Sequence, residues 1–253
     1  MTIEAYSRSF YNKVASRADV ASQISADIIS TLFNVKSLAD IGCGSGIWTR
    51  NFCLKLKEIE TIYALDLELP ERVYLDDASM IKCQVHHIAQ NLDSNPLLPF
   101  HEVDLTICLE VLEHLESETA IELMIEFGKK TKYLLFSAAI PGQGGTHHIN
   151  ERPYEYWYSQ LRENGFIPFD VVRPKLKGQD VPSYYKYNII FWINTSKVTD
   201  KEIETIGMNP NKSLMSNPID IRPLPIKIKY KMLSLIPHQY ITKLSKVKRI
   251  FLA

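Results

Sequence analysis

The chain has 253 residues, with 29 Lys+Arg against 29 Asp+Glu, 45% apolar residues and 23% charged residues. That length and balance support one sizeable core and exclude intrinsic disorder, a collagen-like repeat or a disulfide scaffold as descriptions of the whole. Zero net charge also disfavours a globally basic nucleic-acid binder.

The zero conceals an asymmetry. From Ile221 to Ala253 there are eight basic residues (Arg222, Lys227, Lys229, Lys231, Lys243, Lys246, Lys248 and Arg249) and no acid. The first 220 residues carry 21 basic and 29 acidic side chains, a balance of −8. Cys43, Cys53, Cys83 and Cys108 have no framework-like spacing. Met1 to Phe10 is polar and lacks a signal-peptide core, and the longest apolar run, Tyr133 to Ile140, falls far short of the ~20 residues that span a bilayer. A reducing cytoplasm is the expected location.

Residues 2–33 read as helix, with Ile24, Ile28, Ile29 and Leu32 on one face and Arg8, Lys13 and Arg17 among polar positions before them. Leu38 to Ile41 is a short strand ending in GCGSG, and Ile47 to Lys57 is helical. Strands follow at Thr61 to Leu65, Met80 to Ile88 and Asp104 to Leu109, then a helix at Glu118 to Lys129 and a strand at Lys132 to Ile140. Tyr154 to Asn164 reads as helix, and Phe166 to Val172 and Tyr185 to Asn194 as the last two strands. The alternation predicts an α/β doubly wound sheet of seven strands, mostly parallel, with helices on both faces. The short Pro/Gly-interrupted connection from Pro174 to Pro182 predicts a hairpin and an antiparallel last strand. Residues 1–196 then form the main domain, 197–220 a linker and 221–253 a basic amphipathic extension.

The segment Asp40-Ile41-Gly42-Cys43-Gly44-Ser45-Gly46 joins a strand to a helix. Alternate glycines let the backbone turn sharply and approach a ligand, and the helix N-terminus points free N–H groups at it. The dinucleotide fingerprint G-x-G-x-x-G needs glycine at 47, where this chain has Ile47. The loop instead resembles D-x-G-x-G-x-G of class I S-adenosylmethionine (SAM) methyltransferases. Asp66 lies 20 residues past Gly46, at the end of the second strand. The run CLEVLEHL after the fourth strand, containing Glu110, Glu113 and His114, is similar to a signature of one large group of these enzymes. The resemblance implies that Asp40, Gly42, Cys43, Gly44 and Gly46 hold the methionine portion of SAM. It implies that Asp66 and Leu67 meet the ribose, that Asn91 and Leu92 meet the adenine in place of the usual Asp-Leu, and that Glu110 lies beside the sulfonium. S-adenosylhomocysteine is the product. Glu113 is read either as a site acid or as an exposed acid at a helix start.

The run from Phe136 to Glu151 begins on the fifth strand, passes through PGQGG and delivers His147, His148, Asn150 and Glu151, with Tyr156 and Trp157 soon after. It resembles a subgroup of SAM methyltransferases associated with bacterial surface polysaccharides (capsule, O-antigen). A hydroxyl acceptor is a weak nucleophile at pH 7, and a histidine titrates in the range of a useful base. His148 is therefore read as base or acceptor ligand, with Glu151 or Asn150 orienting it. The alternative is that His148 caps the loop structurally. Gln143, His147, His114, Tyr156 and Trp157 are the substrate-side candidates, although an aromatic pair at a helix start is more often core. No spacing matches a zinc pattern, and His86 and His87 on a strand point to opposite faces, so no metal is expected.

These features imply a SAM-dependent O-methyltransferase of a carbohydrate, or of a sugar-linked phosphate or phosphoramidate, in surface glycan synthesis. The alternatives are a quinone, lipid or other small-molecule methyltransferase and a non-catalytic SAM-binding protein. A small-molecule or glycan substrate, no nucleic acid, and a monomer or homodimer are expected. Tyr240, Ile241, Leu244, Val247 and Phe251 recur at helical spacing among Lys243, Lys246, Lys248 and Arg249. Such a helix suits peripheral contact with an anionic membrane at its inner face, or packing on the acidic body, or a dimer contact.

Overall fold

The structure is a computed structural model and describes residues 8–67, 83–210 and 217–236, with side chains from residue 18 onward. Seven strands form one sheet: β1 (Ser37–Ile41), β2 (Thr61–Asp66), β3 (Gln84–Ala89), β4 (Val103–Leu109), β5 (Thr131–Ser137), β6 (Phe166–Phe169) and β7 (Ile190–Asn194). Their order is β3-β2-β1-β4-β5-β7-β6. β7 runs antiparallel to both neighbours, and the other pairs are parallel. This is the doubly wound, mostly parallel sheet expected, with the antiparallel strand last in sequence but inserted one place in from the edge. β6 takes the edge, where Pro168 loses no ladder bond by lacking an N–H.

Both faces of the sheet are covered, and successive side chains sort between two cores. Leu135, Phe191 and Ile193 join one core with α1 (Arg8–Leu32) and α2 (Ile47–Lys55). Leu134, Phe136, Ile190 and Trp192 join the other with α3 (Ser117–Lys130) and α4 (Tyr154–Glu163). That two-residue alternation follows from the pleat, and burial on both faces explains the near-continuous apolar runs. Full burial of each large apolar side chain contributes roughly 1.5–3 kcal/mol.

Several boundaries differ from the sequence reading. The buried face of α1 runs through Ala18, Ala21, Ser22, Ser25, Ala26 and Ile29, while Ile24, Ile28 and Leu32 pack at its margin. Small residues let α1 lie close to α2, and Asn51 of α2 donates to Ser22 Oγ at 2.6 Å and to Asp19 Oδ1 at 2.9 Å. β6 stops at Phe169 because Asp170 turns to pair with the buried Arg173 guanidinium at 2.9 and 2.7 Å. β6 and β7 pair antiparallel as the expected hairpin, and two short helices, α5 (Arg173–Leu176) and α6 (Ser183–Asn188), fill their connection. Residues 185–188, expected to begin a strand, are helical after Pro182 and bury Tyr185 and Asn188 at a three-residue spacing. Met80 to Lys82, expected to begin the third strand, lie outside the described residues.

The span 197–220, read as a linker, contains α7 (Asp200–Thr205). Thr199 and Glu202 form a capping box there, and Ile203 is buried in the core. The extension begins with α8 (Leu224–Ser234), whose Tyr230 is buried in the second core. Its Arg222 neighbour pairs with Asp220 at 2.9 Å and lies over the Tyr154 and Tyr230 rings. The first part of the basic extension thus packs on the body. Tyr240 to Phe251 lie outside the described residues. Among the described residues no helix is long and apolar enough to cross a membrane.

Candidate active site

The site lies beyond the C-terminal ends of β1, β2, β4 and β5, where an open parallel sheet leaves a crevice. After β1 the chain passes through Gly42, Gly44 and Gly46 at φ 72°, 53° and 84°, a region glycine enters without steric penalty. At Gly42 there is also no space: a Cβ would lie 2.5 Å from Val111 Cγ2. The Gly42 and Cys43 amides donate to the Leu65 carbonyl at 2.8 and 2.9 Å, which ties the loop to the end of β2. Gly46 immediately precedes α2, whose unpaired first-turn N–H groups open toward the loop.

Two carboxylates flank this loop. Asp66 accepts hydrogen bonds from the Gly44 amide at 2.7 Å and the Leu67 amide at 2.8 Å. Burial pushes its carboxyl up to about 6 despite those amides. Asp40 is buried and accepts from the Thr49 hydroxyl. Burial pushes it up to about 7, with the Thr49 hydrogen bond opposing and the Asp66 charge adding to the rise. Among the described residues neither acid pairs with a lysine or arginine. A ligand bringing positive charge would relieve both. Cys43 contributes backbone only: its thiol is buried and pushed up by burial and by the two aspartates, so it is not reactive. Asn91 follows β3 at the same end of the sheet, but its exposed side-chain oxygen accepts from the Asp93 amide in a local turn. Leu92 is buried in the core.

Across β4 lie the residues expected to meet the acceptor. Glu110 ends that strand at φ 57°, a left-handed conformation that carries strain for a non-glycine residue. Its carboxylate accepts from Gln143 Nε2 and from Asn188 Nδ2, the latter at 3.3 Å. Burial raises its pKa. Asn188 also donates to Gln143 Oε1 at 2.9 Å and accepts from the Tyr154 hydroxyl at 2.8 Å. Sequence reasoning missed Asn188 and Tyr154, because one stood in an expected strand and the other at an ordinary helix start.

The loop after β5 folds back on itself. Glu151 accepts from the Gly142 and Gly144 amides, both at 2.9 Å, and from His148 Nδ1 at 2.9 Å. Burial pushes the Glu151 carboxyl up, but the His148 bond and charge and the two amides outweigh it and hold the group below its ordinary value. His148 is buried, and a Cβ on Gly145 would fall 2.0 Å from its Nε2, so only glycine lets the ring sit there. The His148–Glu151 pair is the arrangement expected.

Asn150 does something else. It accepts from Ser117 at 3.0 Å and Arg152 at 2.8 Å and donates to the Leu112 carbonyl at 3.4 Å, so it moors the loop to α3 and does not orient His148. Its amide and that of Ile149 donate to the Glu113 carbonyl at 3.0 and 2.9 Å. His147 is exposed, at φ 60°, and its carbonyl meets His114 Nδ1 at 3.3 Å. Burial, then the His148 charge, depress His114 to about 4. Glu113 is fully buried on the 3-10 turn Leu112–His114, not an exposed helix-start acid.

Two aromatic candidates divide. Trp157 is buried in the core against Phe136, ring centroids 6.2 Å apart, the core position that was the alternative for this pair. Tyr156 is half-buried beneath the Arg152 guanidinium. His86 stacks on Tyr63 on the sheet, remote from the acceptor loop in register.

The fold is that of methyltransferases. A protein of Nostoc punctiforme described as an O-methyltransferase superposes with a TM-score of 0.56 at 13% identity, covering 73% of this chain and 58% of that one. An O-methyltransferase family 2 protein of Planctomyces limnophilus, in complex with apigenin, gives 0.51 at 15%, covering 77% and 62%. The 1,6-didemethyltoxoflavin-N1-methyltransferase of Burkholderia thailandensis, with its substrate and S-adenosylhomocysteine bound, gives 0.50 at 16%, covering 76% and 83%. The chain thus spans less than two thirds of the length of the first two. No family model and no curated protein matches the sequence.

Proposed function

We propose that the chain is a SAM-dependent methyltransferase that transfers the methyl group to a hydroxyl of a small-molecule acceptor. The observation that carries this reading is the pair of buried, unneutralised acids, Asp40 and Asp66, around a left-handed glycine loop at the mouth of the sheet. SAM brings a sulfonium and an ammonium group, and the two ribose hydroxyls suit Asp66. The three superposed proteins support the reading through their shared fold.

The transfer is an in-line displacement. An O–C bond forms at the acceptor as the C–S bond breaks, and the sulfonium becomes a neutral thioether. The acceptor oxygen must lose its proton as it bonds. The His148–Glu151 pair, across β4 from the glycine loop, is placed to receive that proton and to orient the hydroxyl. Gln143 and Asn188 hold Glu110 between the two halves. A surface glycan as acceptor rests only on the resemblance of residues 136–157 to the polysaccharide subgroup.

Calorimetry tests the reading. The purified chain is expected to bind S-adenosylhomocysteine and not NAD. Gly44→Val puts a branched side chain at φ 53°, and is expected to abolish binding with the sheet intact by circular dichroism. NAD binding without S-adenosylhomocysteine binding would overturn the proposal.

A further inference from the structure

Glu113 has no task in the transfer described so far, yet it occupies an expensive place. It is fully buried, and neither carboxylate oxygen has a well-formed hydrogen bond. An unpaired buried carboxylate carries a penalty of several kcal/mol unless it is neutralised or bound to a cation. Two histidines stand beside it. His148 Nε2 is 3.9 Å from Glu113 Oε1, and the His114 and His148 rings meet edge to face with centroids 4.8 Å apart. One ligand atom from each of Glu113, His114 and His148 lies within 4.8 Å of the others.

The tautomers follow from the partners. Glu151 Oε1 and the His147 carbonyl can only accept, so His148 Nδ1 and His114 Nδ1 each carry the proton. That leaves a lone pair on each Nε2. A carboxylate or carbonyl behind Nδ1 is the outer support that metal-binding histidines use to fix ring orientation.

We propose that Glu113, His114 and His148 form a binding site for a divalent cation of the first transition row, from Mn²⁺ to Zn²⁺. Two imidazoles with one carboxylate favour these ions over Mg²⁺ and Ca²⁺, which take oxygen ligands. Tetrahedral coordination at ~2.1 Å places ligand atoms ~3.4 Å apart, so the cluster needs only side-chain adjustments of roughly 1 Å to close on an ion. Three protein ligands leave a position open. The 3-10 turn that carries Glu113 and His114 follows β4, whose sheet neighbours are β1 with the glycine loop and β5 with the acceptor loop. An acceptor hydroxyl in the open position would be acidified by the cation and release its proton to solvent, and while the ion is bound His148, oriented by Glu151, is a ligand and not the base. This use of the site rests on the methyltransferase reading; the binding of the ion does not.

The test uses the full chain, freed of metal with EDTA and titrated with Co²⁺, read by its visible d–d absorption, and with Zn²⁺, read by calorimetry. One Co²⁺ per chain is expected. Glu113→Gln and His114→Ala should weaken binding at least tenfold, and Glu151→Gln by about 10–100-fold. His101→Ala, at an exposed histidine outside the cluster, should bind as wild type. Circular dichroism and the melting temperature of every sample report that each variant is folded, and S-adenosylhomocysteine affinity is measured alongside. Wild type that takes up neither ion, or Glu113→Gln and His114→Ala that bind like wild type, overturns the site. S-adenosylhomocysteine binding without metal binding sinks the metal site alone. Metal binding lost in the cluster variants, but with no S-adenosylhomocysteine binding by wild type, upholds the site and sinks the methyltransferase reading.

Discussion

Replacing Asp40 by asparagine tests the electrostatics of the cofactor side directly. Burial raises the Asp40 carboxyl from its ordinary 3.8 to about 7 in the folded chain. The folded state therefore binds this proton more tightly than the unfolded state, and between about pH 4 and pH 7 it holds more protons. By linkage, stability falls as pH rises through that window, and above about 7 the full penalty is present. The rise corresponds to roughly 4 kcal/mol as an upper bound. Asparagine keeps the side-chain volume and an oxygen to accept from Thr49, but carries no charge. Asp40→Asn is expected to match wild type only below about pH 4, to exceed it by less than about 2 kcal/mol at pH 5, and to exceed it at pH 8 by up to roughly 4 kcal/mol, or up to roughly 10 °C in melting temperature. Part of the wild-type slope will persist in the variant, because Asp66 is also raised, to about 6. The variant should lose at least tenfold in SAM affinity, having given up the carboxylate that answers the cationic ligand. Urea denaturation and calorimetry at pH 5, 6.5 and 8 supply both numbers. A variant less stable than wild type at pH 8, or an equal gain at pH 5 and pH 8, would refute the burial argument; undiminished SAM binding would refute the role given to Asp40.

His148→Ala should lower turnover by ~10²–10⁴-fold while leaving S-adenosylhomocysteine affinity within a few-fold; equal losses of both would show that the loop closes over the cofactor instead. Asn188→Ala leaves the Tyr154 hydroxyl buried without its acceptor and releases Gln143, so it should cost about 1–3 kcal/mol in urea denaturation and reduce turnover. On α8, Leu224, Ile228 and Met232 are exposed beside Lys229 and Lys231, with Leu235 exposed just past its end. Sedimentation with anionic vesicles is expected at low salt and not at high salt, and Ile228→Glu with Met232→Glu should weaken it by removing the α8 share of the contact while residues 240–251 remain; a wild-type chain that ignores such vesicles ends the membrane reading. A Cβ on Gly142 would fall 2.0 Å from the Tyr230 carbonyl, which shows how closely α8 packs on the acceptor loop. A chain cut after Asp220 should therefore lose activity on a soluble acceptor rather than keep it.

Local chemistry in the sequence determined the cofactor side. Glycines at 42, 44 and 46 after a strand, with an acid at the next strand end, permit a left-handed turn that other residues resist, and all three glycines are observed at positive φ. The strand–helix alternation likewise determined the sheet, since parallel strands need crossovers. The His148–Glu151 pair was legible for the same reason: it spans three residues of one loop. Contacts between segments far apart in sequence arise only on folding. Asn188 meets Glu110 across 78 positions, so no local pattern marks it. Trp157 and Tyr156 are adjacent, and only the packing of α4 on the sheet sends one fully into the core and leaves the other half-buried at its margin. In the sequence Glu113 reads equally as a site acid or as an exposed acid at a helix start, and His114 as a substrate-side candidate, with nothing to join them to one another or to His148. The fold of residues 147–151 over them buries the carboxylate and brings His148 against both, and no spacing in the sequence encodes that closure.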